Sequence, residues 1–234
     1  MNIHAKTHML ASMCAWLIAT WRDLCGIARV LCSRTDFSQP LVANLDGKST
    51  PIIMVHGSSG NQFEWLGGWS HIADEFNTHP CYAFSMDLDF DSDDGTQEAI
   101  NSFCQVKWRS RKTNRNIDDY AKIYLRKHIE YVKRIHGCQQ VILFGHSMGG
   151  LVAARYKIFH PEDVQCLVTF GSPLRGAPLL KNCLVKSMNN TIRHRQMTPE
   201  SDLLEETANC LRNDTKILTI GSLHDLQVPD DCST

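Results

Sequence analysis

The sequence predicts an α/β fold, a mainly parallel sheet flanked by helices. Three observations point there. Short β-branched runs alternate with stretches of helical periodicity from about residue 51 onward. One junction between such a run and the helix after it carries Gly145-His146-Ser147-Met148-Gly149. The length, 234 residues, suits one domain of this kind and leaves enough material to bury a core.

Taken in order, Pro51–Val55 (PIIMV) reads as a buried strand running into the turn His56-Gly57. Trp65–Phe76 is predicted as helix and Cys81–Met86 as the second strand. The polar stretch Asp87–Arg115 is long for a connection and is expected to decorate the site rather than the core. Asn116 looks like an N-cap, and Asp118 and Asp119 suit the positive end of the helix dipole. Ile117, Ala121, Tyr124, Leu125, His128, Val132 and Ile135 mark the inward side of that helix, and Gly137 ends it. Val141–Phe144 is the next strand, followed by a helix from about Met148 to Phe159 that His160-Pro161 stops. Val164–Phe170 and Lys216–Ile220 are two further strands. Such alternation places a site at the carboxyl ends of the strands.

Residues 1–40 read as an apolar helical segment and linker, and 41–234 as the domain proper. Within the first, Met9–Trp21 is nearly free of charge, and Arg22 and Asp23 interrupt it before Leu24–Cys32. Thirteen residues are too few to span a bilayer, which needs about 20 as a helix. Leu10, Met13, Leu17, Trp21, Leu24 and Leu31 recur on one helical face, so residues 9–32 could lie on a membrane surface. A helix packed on the core would show the same pattern. Membrane association is the favoured expectation.

Charge excludes one class of partner. A formal net charge of −1, with Lys and Arg spread along the chain, leaves no electrostatic footprint for nucleic acid. The ten cysteines contain no C-x-x-C pair, so zinc has no support and no metal is expected. Their scatter, with Cys166 inside an apolar run, resembles reduced usage more than a disulfide framework. The sequons at Asn189 and Asn213 matter only on a secretory route.

The chemistry is concentrated in the G-x-S-x-G pentapeptide. A hydrophobic strand before it and a helix after it form the setting in which such a serine is a nucleophile. The sharp turn lifts Oγ above the sheet, and glycines two residues away on either side remove Cβ atoms that would clash. The N–H of Met148, at the helix start, then faces a developing oxyanion.

Five segments share a wider pattern: PIIMVHGSSG (Pro51–Gly60), VILFGHSMGGLVAARY (Val141–Tyr156), VTFGSPLRGAP (Val168–Pro178), QMTPESDLL (Gln196–Leu204) and GSLHDLQVP (Gly221–Pro229). By these the chain resembles the lipase and esterase branch of the α/β-hydrolase superfamily, bacterial lipases and inositol-deacylase-like esterases in particular. The resemblance implies that His56 is a structural residue of its turn. It also implies that the Ser58 N–H joins that of Met148 in an oxyanion hole, and that Asp225 is the triad acid. A small cap between the last two strands, about residues 179–213, is implied as well. Its Leu180, Leu184, Met188, Leu203 and Leu204 could line an acyl-chain site or form the buried face of ordinary helices.

The same resemblance calls for a general-base histidine on a loop beyond one further strand after the acid. No histidine follows Asp225 before Thr234, and the expectation is a reading frame that continues into such a segment. Within the chain, His146 belongs to the elbow and His224 adjoins the acid. His194, between the last two strands, is the remaining candidate for a substitute base, and its plain reading is an exposed cap residue. The expected function is hydrolysis of a lipid or acyl ester through an acyl-enzyme on Ser147, with no cofactor. An acyltransferase or thioesterase would use the same residues. A catalytically impaired or non-catalytic hydrolase-fold protein that binds an acyl ligand or a partner is the rival from another class.

Overall fold

The computed structural model describes residues 49–58, 65, 72, 75, 76, 78–84, 86, 115–181, 191–222, 225 and 228. The apolar segment 9–32 and most of Asp87–Arg115 lie outside these residues, as does His224. Of the expected helix Trp65–Phe76 only Trp65, Ile72, Glu75 and Phe76 are described. Among the described residues, no helix is long and apolar enough to cross a membrane.

Among the described residues five strands form the sheet: β1 (Ile52–Val55), β2 (Cys81–Phe84), β3 (Val141–His146), β4 (Val164–Phe170) and β5 (Ile217–Ile220). Their order is β2-β1-β3-β4-β5, and every neighbouring pair is parallel. Parallel strands buried on both faces need apolar residues of both parities, and these have them. Ile53, Val55, Tyr82, Phe84, Val141 and Leu143 enter one core cluster. Ile52, Met54, Cys81, Ala83 and Phe144 enter another on the opposite face, where Trp65 and Phe76 pack edge-on against Phe144. The second strand stops two residues short of the expected Met86. The Met86 N–H leaves the ladder and donates to His56 Nε2 at 2.9 Å.

The helix after Asn116 begins with the expected cap. The Asn116 side chain accepts from the Asp119 N–H at 2.7 Å, and the Asp119 carboxylate accepts in return from the Asn116 N–H. Its course differs from a plain α-helix. After α1 (Ile117–Asp119) comes a π-helical stretch, Tyr120–Leu125, and then α2 (Arg126–His136), ended by Gly137 at φ +61°. A wider turn sets the later residues back by about one position. His128 and Val132 beyond it nonetheless keep their expected inward places; at the helix end His136 bonds Tyr82 Oη at 2.7 Å, and Ile135, expected inside, is 46% exposed.

Helix α3 (Met148–Phe159) lies against β3 and is buried along most of its length. Beyond β4, α4 (Ile192–Gln196) and α5 (Asp202–Leu211) occupy the expected cap region. Leu203 and Leu204 of α5 join the same core cluster as Val152 and Tyr156, so these two form the buried face of an ordinary helix. Leu184 and Met188 lie outside the described residues.

Burial makes His128 the most strongly shifted histidine among the described residues. His128 sits between the edges of Tyr82 and Phe84, and desolvation pushes it down to about 4 from its usual 6.5. An unfolded chain takes that proton near pH 6.5, and the folded one not until about pH 4. The associated stability is complete above 6.5 and is lost as pH falls toward 4, a span of roughly 3 kcal/mol at about 1.4 kcal/mol per unit. Urea midpoints measured from pH 7 to 4.5 should fall, and His128→Leu should flatten the decline. An equal decline in the variant would assign the acid sensitivity elsewhere.

Candidate active site

The register sets the ends of the strands side by side. Val55 pairs with Gly145, His146 with Phe170, and Phe170 with Ile220. The chain therefore leaves β1, β3, β4 and β5 along one edge, as His56-Gly57, Ser147, Gly171 and Gly221.

Ser147 is the corner between β3 and α3. Its backbone takes φ 53° and ψ −126°, a region that costs a non-glycine residue of order 1–3 kcal/mol. Hydrogen bonds on both sides hold it there. The Ser147 N–H donates to the Phe170 carbonyl at 3.0 Å, and its carbonyl accepts from the Gly150 N–H at 3.0 Å. The bracketing glycines allow the approach. A Cβ on Gly149 would stand 2.2 Å from the Val55 carbonyl oxygen, and one on Gly145 would stand 2.5 Å from the Gly150 Cα. Neither position has room for a methyl group. Met148 is the first residue of α3, so its N–H is among those a helix leaves without an intrahelical partner.

The His56-Gly57 turn lies directly against this corner. A Cβ on Gly57 would be 3.1 Å from Ser147 Cβ and 3.6 Å from its Oγ. His56 is buried with both ring nitrogens engaged. Nδ1–H donates to the Gly57 carbonyl at 2.7 Å, and Nε2 accepts from the Met86 N–H. That pattern requires the neutral ring with its proton on Nδ1. His56 is therefore a structural residue, as the resemblance implied. The Gly57 carbonyl it holds belongs to the same planar peptide as the Ser58 N–H, so this bond also sets the direction in which Ser58 donates.

Asp225 is half-buried in the loop after β5. Its N–H donates to the Ser222 carbonyl at 3.1 Å, and its Oδ1 accepts from the Val228 N–H at 3.0 Å. Oδ2 lies against Gly171, whose Cβ, if present, would be 3.3 Å from it. The acid candidate thus stands beside the residue that leaves β4. His194 is half-buried on α4, with Nδ1 2.5 Å from Thr191 Oγ1. Sequence reasoning overlooked Ser172. It is fully buried, with Oγ 3.5 Å from the Gly145 carbonyl, and it fills the space beside Gly150. The G-S-P run after β4 was the available signal.

Among the described residues, a metal has no evident place at this edge. His160, Glu162 and Asp163 bring ligand atoms within 4.8 Å of one another, but they precede β4 at the opposite end of the sheet. The Asp163 carboxylate is also taken by Lys133 and the Tyr156 hydroxyl. Cys81, Cys138, Cys166 and Cys210 are free thiols, and burial pushes Cys81 up to about 12, so it is inert core.

A serine held in this strained corner above a parallel sheet is the architecture of α/β hydrolases of the lipase and esterase branch, and the comparisons agree. Residues 46–234 match the family described as the PGAP1-like alpha/beta domain, and the chain belongs to that family. A GPI inositol-deacylase B from Yarrowia lipolytica is 30% identical over 135 residues, covering 53% of this chain and 13% of that protein. A (lyso)-N-acylphosphatidylethanolamine lipase from Bos taurus is 29% identical over 133 residues, covering 55% of this chain and 32% of that protein. The chain thus spans less than a third of either relative. The mature lipase of Bacillus licheniformis shares the fold with a TM-score of 0.51 at 16% identity, over 75% of this chain and 64% of that one.

Proposed function

We propose that this chain is a serine carboxylic-ester hydrolase that cleaves a lipid or acyl ester through an acyl-enzyme on Ser147. The backbone of Ser147 carries the reading, because that conformation is held only where the surroundings enforce it. Ser147 Oγ attacks the ester carbonyl and gives its proton to a base. The N–H groups of Ser58 and Met148 receive the oxyanion, and the alcohol departs with the proton. Water then attacks the acyl group, and the acid is released. Asp225 orients and stabilises the base. Relatives named for inositol deacylation and for a phosphatidylethanolamine lipase favour a lipid acyl ester as substrate. Transfer of the acyl group to an alcohol other than water would use the same intermediate.

Within this chain His194, with Nδ1 2.5 Å from Thr191 Oγ1, is the candidate for a substitute base. A fluorophosphonate probe tests both assignments, since it reacts only with an activated serine. The label should map to Ser147 by peptide mass spectrometry and should vanish in His194→Ala. Absence of label on Ser147 would end the hydrolase reading, and labelling unchanged in His194→Ala would remove His194 from the mechanism. Residues 9–32 are proposed to rest on a membrane surface. Deleting residues 1–32 should move the protein into the soluble fraction with its thermal transition intact, and an unfolded product would show instead that the segment packs on the domain.

A further inference from the structure

Three buried cations stand out among the described residues, and one of them differs from the others. Arg155 is paired with Asp118 and Glu206, and Lys157 with Asp214. Arg193, on α4, is 7% exposed and has no acid beside it among the described residues. Its Nη1 donates to Tyr120 Oη at 3.2 Å, and its Nε has no hydrogen-bond partner among them. An unpaired buried charge costs several kcal/mol, and a guanidinium does not shed its proton to escape that cost.

The position of Arg193 ties it to the active edge. The carbonyl of Met197, just after α4, accepts from the Ala177 N–H at 2.8 Å. Pro199 packs so closely on Gly176 that a Cβ there would be 2.5 Å from its nitrogen. Both contacts hold α4 to the loop that leaves β4, the strand whose ends touch Ser147 and Asp225. Gln196 Oε1 accepts from the Ile117 N–H at 2.8 Å, joining α4 to the helix that carries Tyr120. Tyr120 opens the π-helical stretch, a deviation frequent at functional sites.

We propose that Arg193 and Tyr120 form an anion-binding subsite at the carboxyl edge of the sheet, which receives the phosphate of a phosphorylated acyl ester. A guanidinium presents a planar fork of donors that matches two phosphate oxygens, and Nε lies on one side of that fork. Bound phosphate supplies the charge that the described residues around Arg193 do not. This assignment rests on the ester-hydrolase reading for its meaning in catalysis, but its test is one of binding.

The full chain carrying Ser147→Ala, which cannot turn substrate over, is titrated calorimetrically with dihexanoyl phosphatidic acid, dihexanoylglycerol and inorganic phosphate. Phosphatidic acid should bind at least about tenfold more tightly than the uncharged glyceride. Adding Arg193→Gln should erase that preference and leave the glyceride affinity in place, while Arg193→Lys should keep part of it. If Arg193→Gln fails to fold, Tyr120→Phe, which removes only a hydroxyl, should still lower the preference several-fold. A preference that survives Arg193→Gln, or is absent before it, overturns the subsite and leaves the guanidinium to a carboxylate of the chain. Inorganic phosphate bound as tightly as the lipid would make this a free-phosphate site and overturn the lipid assignment. An Arg193-dependent preference in a protein whose Ser147 takes no fluorophosphonate would keep the subsite and remove the hydrolase reading.

Discussion

Replacing Ser147 by alanine should abolish ester hydrolysis, lowering kcat on p-nitrophenyl butyrate by roughly 10^4-fold or more. The fold should be untouched, because alanine keeps the Cβ and the backbone of serine and adds no volume. A sharper test addresses the backbone donors. Ser58→Pro deletes one N–H and should cost about 10^2–10^3 in kcat, the usual loss for one oxyanion donor, with little change in KM. Ser58→Ala keeps that N–H and should stay within a few-fold of wild type. If Ser58→Ala is as damaging as Ser58→Pro, the side chain matters and the donor role of the Ser58 peptide is wrong. Activity that persists in Ser147→Ala would displace the nucleophile altogether.

The second large effect is expected at Asp118, 37 positions before the arginine it pairs with. Arg155 Nε and Nη2 donate to the two Asp118 oxygens at 2.7 and 3.1 Å, deep enough that the Arg155 side chain is 3% exposed. Glu206 also meets this guanidinium, but its side chain is 56% exposed and water screens it. Asp118→Ala should therefore leave the cation nearly uncompensated and cost about 3–5 kcal/mol, much of the stability of an ordinary domain. Arg155→Met removes the charge and retains apolar volume, so it should cost less. Combining Asp118→Leu with Arg155→Met should recover most of the loss. Urea denaturation of the three variants gives the comparison. If Asp118→Ala costs under about 1 kcal/mol, the pair is not the tie between α1, α3 and α5 that its geometry indicates.

The sequence made the serine corner legible because its constraints are local. Gly145 and Gly149 are required by approaches that a tight turn imposes, and the helix of Met148–Phe159 starts and stops where its own residues dictate. The strands were readable for the same reason, since β-branched runs between turn residues declare themselves within a few positions. The π-helical stretch was not. Tyr120–Leu125 carries side chains that suit an α-helix equally well, and packing against α3 selects the wider turn. Contacts between distant residues were also hidden, among them Arg155 with Asp118 and Gln196 with the Ile117 N–H, 79 positions apart. No spacing rule points from one to the other. The Ser58 and Asp225 assignments came from resemblance, and that of Met148 from the pentapeptide and its setting. The structure shows Gly57 against Ser147 and Asp225 against Gly171, so the ends of β1, β3 and β5 bring these residues to a common edge.

The strands differ in how firmly they carry the parts of the site. Ser147 stands on β3, bonded on one side to β1 and on the other to β4. Asp225 follows β5, which among the described strands pairs with β4 alone and turns Leu218 and Ile220 outward, 57% and 37% exposed. A strand with one neighbour frays at far less cost than one with two, because half as many ladder bonds must open. The proposed acid Asp225 can therefore come out of position while Ser147 keeps its full scaffold. The two halves of the proposed catalytic apparatus are thus expected to differ in lifetime, and whatever lies along the side of β5 away from β4 would govern how often they are present together.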